Sequence, residues 1–294
     1  MMATKPNFFI IGAPKCGTTA LSEYLKDNPQ VYFCEPKEPH YFNDDFLDRG
    51  ITKESDYLSL FENIKPHHKA IGEGSVMYLY SETAVKNILE FNSDAKFIVM
   101  LRNPLEVAYS WHSQTLISHG EDTIDFKEAW DLRKIRREGK WLPPNKKERK
   151  VFIYSDVAKF GEQLERLNSL TNNKNVKVIF FEDFSSNTLK TYKEILKFLN
   201  VDYDGKTEFP AINKSKKYRF LLLEKLRTFI IDFKERHNIK IRTGLLAFLR
   251  KQNIKVSPRK KLSPEFKNVL ARYYTDDISK IETITKKDLS HWKK

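Results

Sequence analysis

Eight residues near the N-terminus, Gly12-Ala13-Pro14-Lys15-Cys16-Gly17-Thr18-Thr19, place two glycines, one ammonium and two hydroxyls between an apolar run and a helical one. In loops of the pattern Gly-x4-Gly-Lys-Ser/Thr, backbone N–H groups cradle phosphates and the positive end of the next helix faces them. The glycine spacing here is the same, but Thr18 stands where that lysine belongs, and Lys15 has moved inside the loop. The lysine of the pattern reaches the outer phosphates of a nucleoside triphosphate. Its displacement argues against ATP or GTP and leaves a smaller 5′-anion as the ligand. An ordinary tight strand-to-helix turn is the bland alternative for the same residues.

A second segment narrows the choice. Lys96 to Leu101 (KFIVML) reads as a buried strand that runs into Arg102-Asn103-Pro104. A nucleoside-triphosphatase strand at this point ends in an acid that helps hold Mg²⁺. Arg102 is instead a fork-shaped cation suited to a phosphate. The exchange implies a ligand with a second phosphate and no metal requirement. Ser110, about two helical turns further on, adds a hydroxyl for the same anion. Read alone, Arg102 is equally a surface arginine after a strand.

Buried strands alternating with helices must position these groups. Asn7–Ile11, Lys96–Leu101 and Val176–Phe181 are short apolar runs, with Val31–Cys34 and Ala70–Gly72 as shorter strands. Helical spacing covers Thr19–Lys26, Ser81–Phe91, Leu105 to about Ser118, Asp125–Arg137, Val157–Leu170, Leu189–Leu199 and Ser263–Ile284. Pro104 suits a first helical turn. The alternation predicts an α/β fold, a P-loop-like domain over residues 1–294 with a central parallel sheet flanked by helices on both faces. Arg133 to Lys150 is basic, holds Pro143-Pro144, and reads as an exposed excursion. Lys214 to Lys261 carries 16 Lys/Arg against 3 Asp/Glu around apolar helical runs, and reads as a lid or acceptor-side region.

Hydrophobic residues make up 40% of the 294, enough for a sizeable core. No apolar run is long enough to span a membrane, and the N-terminal apolar run is too short for a signal peptide. Two cysteines, Cys16 and Cys34, cannot build a disulfide framework and point to a reducing cytoplasm. The net charge of +13 calls for an anionic substrate, a membrane surface or nucleic acid, or is simply a solvated lysine-rich surface.

PKCGTTALSEYL resembles the 5′-phosphosulfate loop of sulfotransferases that use 3′-phosphoadenosine-5′-phosphosulfate (PAPS), and LRNPLEVAYS resembles their 3′-phosphate motif, about 85 residues away as in that family. Glu35-Pro36-Lys37-Glu38-Pro39-His40-Tyr41-Phe42 is similar to the Glu-x-His-Phe-Phe segment of the heparan-sulfate-type and bacterial branch. Weaker similarity continues through Phe181–Phe184 and the C-terminal KKDLSHW. The resemblance implies that Lys15 stabilises charge on the departing phosphate. It assigns the 5′-phosphate to Cys16, Gly17, Thr18 and Thr19, and the 3′-phosphate to Arg102 and Ser110. Glu38 becomes the general base, with His40 as rival base or helper at the acceptor. Glu73 resembles the acid of an acceptor-side Glu-Lys-Thr segment in which Gly74 here replaces the lysine. Lys255, Arg259 and Lys260 match a basic loop closing over the donor, after an Asn213-Lys214-Ser215 segment. No metal is implied.

The reading is therefore a PAPS-dependent sulfotransferase that releases adenosine 3′,5′-bisphosphate (PAP). Its acceptor is a glycan, or a soluble metabolite or natural product such as an alkaloid, and its setting a bacterial cytoplasm. A nucleotide or small-molecule kinase is the enzymatic alternative, disfavoured by Thr18 and Arg102. A nucleic-acid-binding protein is the non-enzymatic one, with no RNP, zinc-finger or helix-turn-helix signature to carry it. The basic apolar-faced helices at 218–250 are open to three roles: an acceptor cover, a membrane-surface contact or a dimer interface.

Overall fold

Phe8-Phe9-Ile10-Ile11-Gly12 is buried at every residue, the pattern of a strand covered on both faces. This is β1, at the centre of a five-stranded sheet in the computed structural model, which describes residues 5–118, 120–212 and 261–294 and the backbone of 216–218 and 254–256. The other strands are β2 (Val31–Phe33), β3 (Ala70–Gly74), β4 (Lys96–Leu101) and β5 (Val176–Phe180). Their order is β2-β3-β1-β4-β5 and every pairing is parallel. The expected α/β fold, a parallel sheet flanked by helices, is what the chain forms.

The helices are α1 (Thr18–Lys26), α2 (Glu54–Ser59), α3 (Ala84–Phe91), α4 (Pro104–Ser118), α5 (Phe126–Asp131), α6 (Arg133–Arg137), α7 (Tyr154–Val157), α8 (Phe160–Leu170), α9 (Phe181–Ser186), α10 (Thr188–Leu199) and α11 (Pro264–Thr285). A separate antiparallel pair, β6 (Lys216–Tyr218) and β7 (Ile254–Val256), lies beyond the sheet, with β6 alongside α4. Aromatic side chains pack on the sheet. Phe9 stacks on Phe97 at 6.2 Å and meets the edge of Phe42 at 5.9 Å. Phe8 lies flat over Gly72, where a Cβ would sit 2.1 Å from its ring. Truncating either buried phenylalanine would cost about 3–5 kcal/mol.

Four expectations change. The helix expected over Asp125–Arg137 breaks at Leu132 into α5 and α6, because Arg136 turns inward to form a two-bond pair with Glu121. The helix expected over Val157–Leu170 begins at Phe160, because Val157 ends α7; the excursion expected over 133–150 is mostly exposed, with Arg136, Pro143 and Glu148 buried as anchors. The helix expected from Ser81 begins at Ala84, whose N–H is taken by the Ser81 hydroxyl at 3.0 Å. The strand expected through Phe181 ends at Phe180, and Phe181 opens α9.

Candidate active site

The sheet order brings three loops to one edge. In open parallel sheets ligands bind at the carboxyl ends of the strands, where the chain departs to opposite sides. Here β1 sits between β3 and β4; the loops leaving β1, β4 and β2 carry predicted site residues, and Glu73 lies on β3 itself.

After β1, the Ala13 N–H donates to Met100 O at 2.8 Å, which pins the start of the loop to β4. Lys15 (φ 65°) and Gly17 (φ 93°) turn the chain through left-handed backbone into α1. A side chain at Gly17 is excluded twice over, by that φ and by Phe181 Cδ2, which lies 3.1 Å from where a Cβ would stand. No side chain caps α1 at Gly17 and no acid stands in its first turn, so nothing of its own competes with an anion for its first N–H groups. Thr18 is buried and Thr19 half-buried. Cys16 is fully enclosed, its thiol turned to Pro14 O at 3.4 Å, and burial pushes the thiol far above its ordinary range. Its backbone, and not its sulfur, is what the loop offers an anion.

Arg102 leaves the end of β4. Its guanidinium sits 4.7 Å over the ring of Phe181, the same ring that closes on Gly17, so the two phosphate motifs share one aromatic wall. The Arg102 backbone N–H faces the Cys16 sulfur. Its side chain is held by Glu106, with Nε donating to Oε2 at 2.7 Å. Ser110 lies on the buried face of α4. Lys15 Nζ donates to Gln114 Oε1 on the same helix at 3.1 Å.

The third loop follows β2. Glu38 (φ 69°) and His40 (φ 51°) both adopt left-handed backbone around Pro39. The Glu38 carboxylate lies 3.0 Å from Lys37 Nζ and 3.3 Å from His40 Nε2. Burial would raise its pKa, but the His40 hydrogen bond and the Lys37 charge outweigh this and hold it at about 2. Glu38 is thus a carboxylate at neutral pH, of low basicity while both partners hold it. His40 Nδ1 is buried without a hydrogen-bond partner. Lys37 runs past Gly74, its Cε 3.5 Å from where a Cβ would stand. The position at which the family pattern has a lysine is therefore glycine beneath another lysine.

Glu73 sits beside Gly74 with no exposed surface. Its carboxyl oxygens accept from Ser75 Oγ, Tyr57 Oη and Tyr78 Oη. Burial pushes its pKa up to about 7 against those hydrogen bonds. Glu73 therefore has no surface open to direct contact, its oxygens facing three hydroxyls. Lys255 belongs to the backbone of β7, paired with Lys217, while Arg259, Lys260, Asn213–Ser215 and helices 218–250 lie outside the described residues.

Sequence reading passed over Phe181, Glu106, Gln114 and Lys37. Phe181, Glu106 and Lys37 each lie inside a segment quoted for the resemblance, whereas Gln114 carries no signal in the sequence. Among the described residues no three His, Cys, Asp or Glu side chains gather as a metal site, and no helix is long and apolar enough to cross a membrane.

Comparison with known proteins supplies the remaining observation. A model of the sulfotransferase domain matches residues 5–282. The mouse bifunctional heparan sulfate N-deacetylase/N-sulfotransferase 4 is 26% identical over 265 residues, 80% of this chain and 29% of that protein. Human carbohydrate sulfotransferase 15 is 31% identical over 149 residues, 36% of this chain and 26% of that protein. The chain thus spans less than a third of the length of either relative. In fold, a crystal structure of a sulfotransferase from Alicyclobacillus acidocaldarius matches 99% of this chain and 100% of its own, with a TM-score of 0.74 at 24% identity.

Proposed function

The chain belongs to the sulfotransferase family, and we propose that it moves the sulfuryl group of PAPS to a hydroxyl or amine of an acceptor and releases PAP. The acceptor oxygen or nitrogen forms a bond to sulfur as the bond from sulfur to the bridging phosphate oxygen breaks. The acceptor proton passes to Glu38, and Lys15 meets the charge left on the bridging oxygen. Arg102, with Ser110 behind it, holds the 3′-phosphate; the N-terminus of α1 holds the 5′-phosphate.

The observation that carries this reading is the shared wall at Phe181. It sets an uncapped helix N-terminus and an arginine side by side, at the ends of adjacent strands. Two anion sites so placed fit a ligand with two separate phosphates. The names of the relatives put carbohydrate acceptors first, and a net charge of +13 suits an anionic one. Two buried free thiols accord with the reducing, cytoplasmic setting inferred from the cysteine count.

Incubation with ³⁵S-labelled PAPS and a panel of N-deacetylated glycans, desulfated glycans and small alcohols tests the reading. Label transferred by the wild-type chain and not by Lys15→Ala supports it. Equal transfer by both would remove Lys15 from the mechanism.

A further inference from the structure

We propose that Glu73 is a positioning residue for the base loop: its carboxylate takes the protons of surrounding hydroxyls, and so turns their oxygens toward the backbone of His40, Tyr41 and Phe42. The inference rests on Glu38 being the base of the proposed reaction.

The loop needs such a holder. Left-handed backbone is strained for a non-glycine residue, and this loop contains two such residues, Glu38 and His40. Each N–H that residues 38–42 possess has a fixed acceptor, Pro39 having none to give. Glu38 N donates to Gly74 O at 3.1 Å. His40 N donates to Ser75 Oγ at 3.0 Å. Tyr41 N and Phe42 N donate to Tyr78 Oη at 2.9 and 3.2 Å.

A hydroxyl has one proton and two lone pairs, and its lone pairs face a backbone N–H reliably only when its proton is engaged elsewhere. The acceptor for those protons is Glu73. Ser75 Oγ donates to Oε1 at 2.6 Å and Tyr78 Oη to Oε2 at 3.4 Å. Tyr57 Oη donates to Oε2 at 2.9 Å, and its ring stacks on Tyr41 at 4.5 Å. Serine, both tyrosines and the loop thus converge on one carboxylate fixed to the end of β3, next to β1. An acid-to-amide change keeps the shape of residue 73 but supplies N–H donors where the ionised carboxylate, the form above about pH 7, has only acceptors. At least one hydroxyl then loses the outlet for its proton.

The test uses the full chain and three readouts: PAP affinity by calorimetry, amide hydrogen exchange over residues 36–46, and steady-state kinetics with labelled donor. For Glu73→Gln, exchange at His40, Tyr41 and Phe42 should rise about tenfold or more. Turnover should fall about ten- to a hundredfold with the PAP dissociation constant within about twofold of wild type. Tyr78→Phe should reproduce faster exchange at Tyr41 and Phe42 with His40 still protected, and it answers the question if the glutamine variant does not fold. Unchanged exchange in both variants overturns the proposal. So does a raised acceptor KM at unchanged kcat, the mark of direct acceptor contact, or PAP affinity that falls as far as turnover, the mark of a general structural role. If wild type binds no PAP, the donor reading fails, while the exchange comparison still decides what Glu73 does to the loop.

Discussion

Lys15 Nζ and Gln114 Oε1 are 3.1 Å apart, a bond between residues 99 positions apart in the chain. It ties the donor loop to α4 one turn beyond Ser110. Gln114 is itself oriented, since its Nε2 donates to Ser118 Oγ at 3.1 Å and leaves Oε1 toward the ammonium. Lys15 therefore rests beside the helix that carries part of the 3′-phosphate site. In Lys15→Ala, turnover should fall by about 10²–10³, the cost of removing one aimed donor from a developing charge. PAP, which lacks the sulfuryl group, should bind with a much smaller loss. Calorimetry alongside labelled transfer separates the two.

Arg102 is paired with Glu106, whose carboxylate takes the place that a phosphate would claim. Arg102→Ala should weaken PAP by about 1.5–3 kcal/mol, the range for a hydrogen bond to a charged group. Adenosine 5′-monophosphate, which has no 3′-phosphate, should bind both forms alike. Glu106→Gln should tighten PAP, because the competing anion is gone. Weaker PAP binding by that variant would mean Glu106 positions Arg102 instead of competing for it.

Glu38→Gln should abolish transfer while PAP affinity stays near wild type. The Glu38 carboxyl, depressed to about 2 by His40 and Lys37 against its burial, stays ionised down to strongly acid pH. An acid limb in kcat near pH 4–5 therefore cannot come from Glu38. The stability it contributes is present above the ordinary carboxyl value and is lost as pH falls toward 2. Lys37→Gln should move its NMR titration midpoint upward; an unmoved midpoint would assign the depression to His40 alone.

The sheet was legible from residue types because β1 and β4 are covered on both faces and so read as unbroken apolar runs. That same logic misplaced Phe181. The residue is apolar because it walls the site, and nothing local marks that the chain has already turned into α9. The break at Leu132 was hidden because its cause, Glu121, lies 15 residues from Arg136. The donor loop was readable since its chemistry is contiguous in the chain. The surroundings of Glu73 were not, since Tyr57 is 16 residues before it and the bond from His40 to Ser75 spans 35. Gly74 was noticed as a departure, but that Lys37 crosses it depends on the meeting of β2 and β3.

Glu73 makes a prediction about stability. Its pKa is raised from 4.5 to about 7 by burial, so between those values the unfolded chain has lost a proton that the native state keeps. Stability should fall as pH rises through this window and level off above it, by about 3 kcal/mol from this group. Its titratable neighbours Tyr57, Tyr78 and Cys34 stay neutral there, their values being pushed up by burial. Urea unfolding at pH 5 and pH 7.5 should show the decline in wild type and a shallower one in Glu73→Gln. Identical slopes would show that Glu73 is ionised throughout.

The central claim is that the loop Gly12–Thr19 and Arg102 together hold a nucleotide with separate 5′- and 3′-phosphates. Thermal unfolding with PAP, or with ATP and Mg²⁺, tests it most directly. At a hundredfold excess over its dissociation constant, PAP should contribute about 2.7 kcal/mol and raise Tm by about 5 °C, with ATP–Mg²⁺ giving little. Stabilisation by ATP–Mg²⁺ and none by PAP would contradict the account.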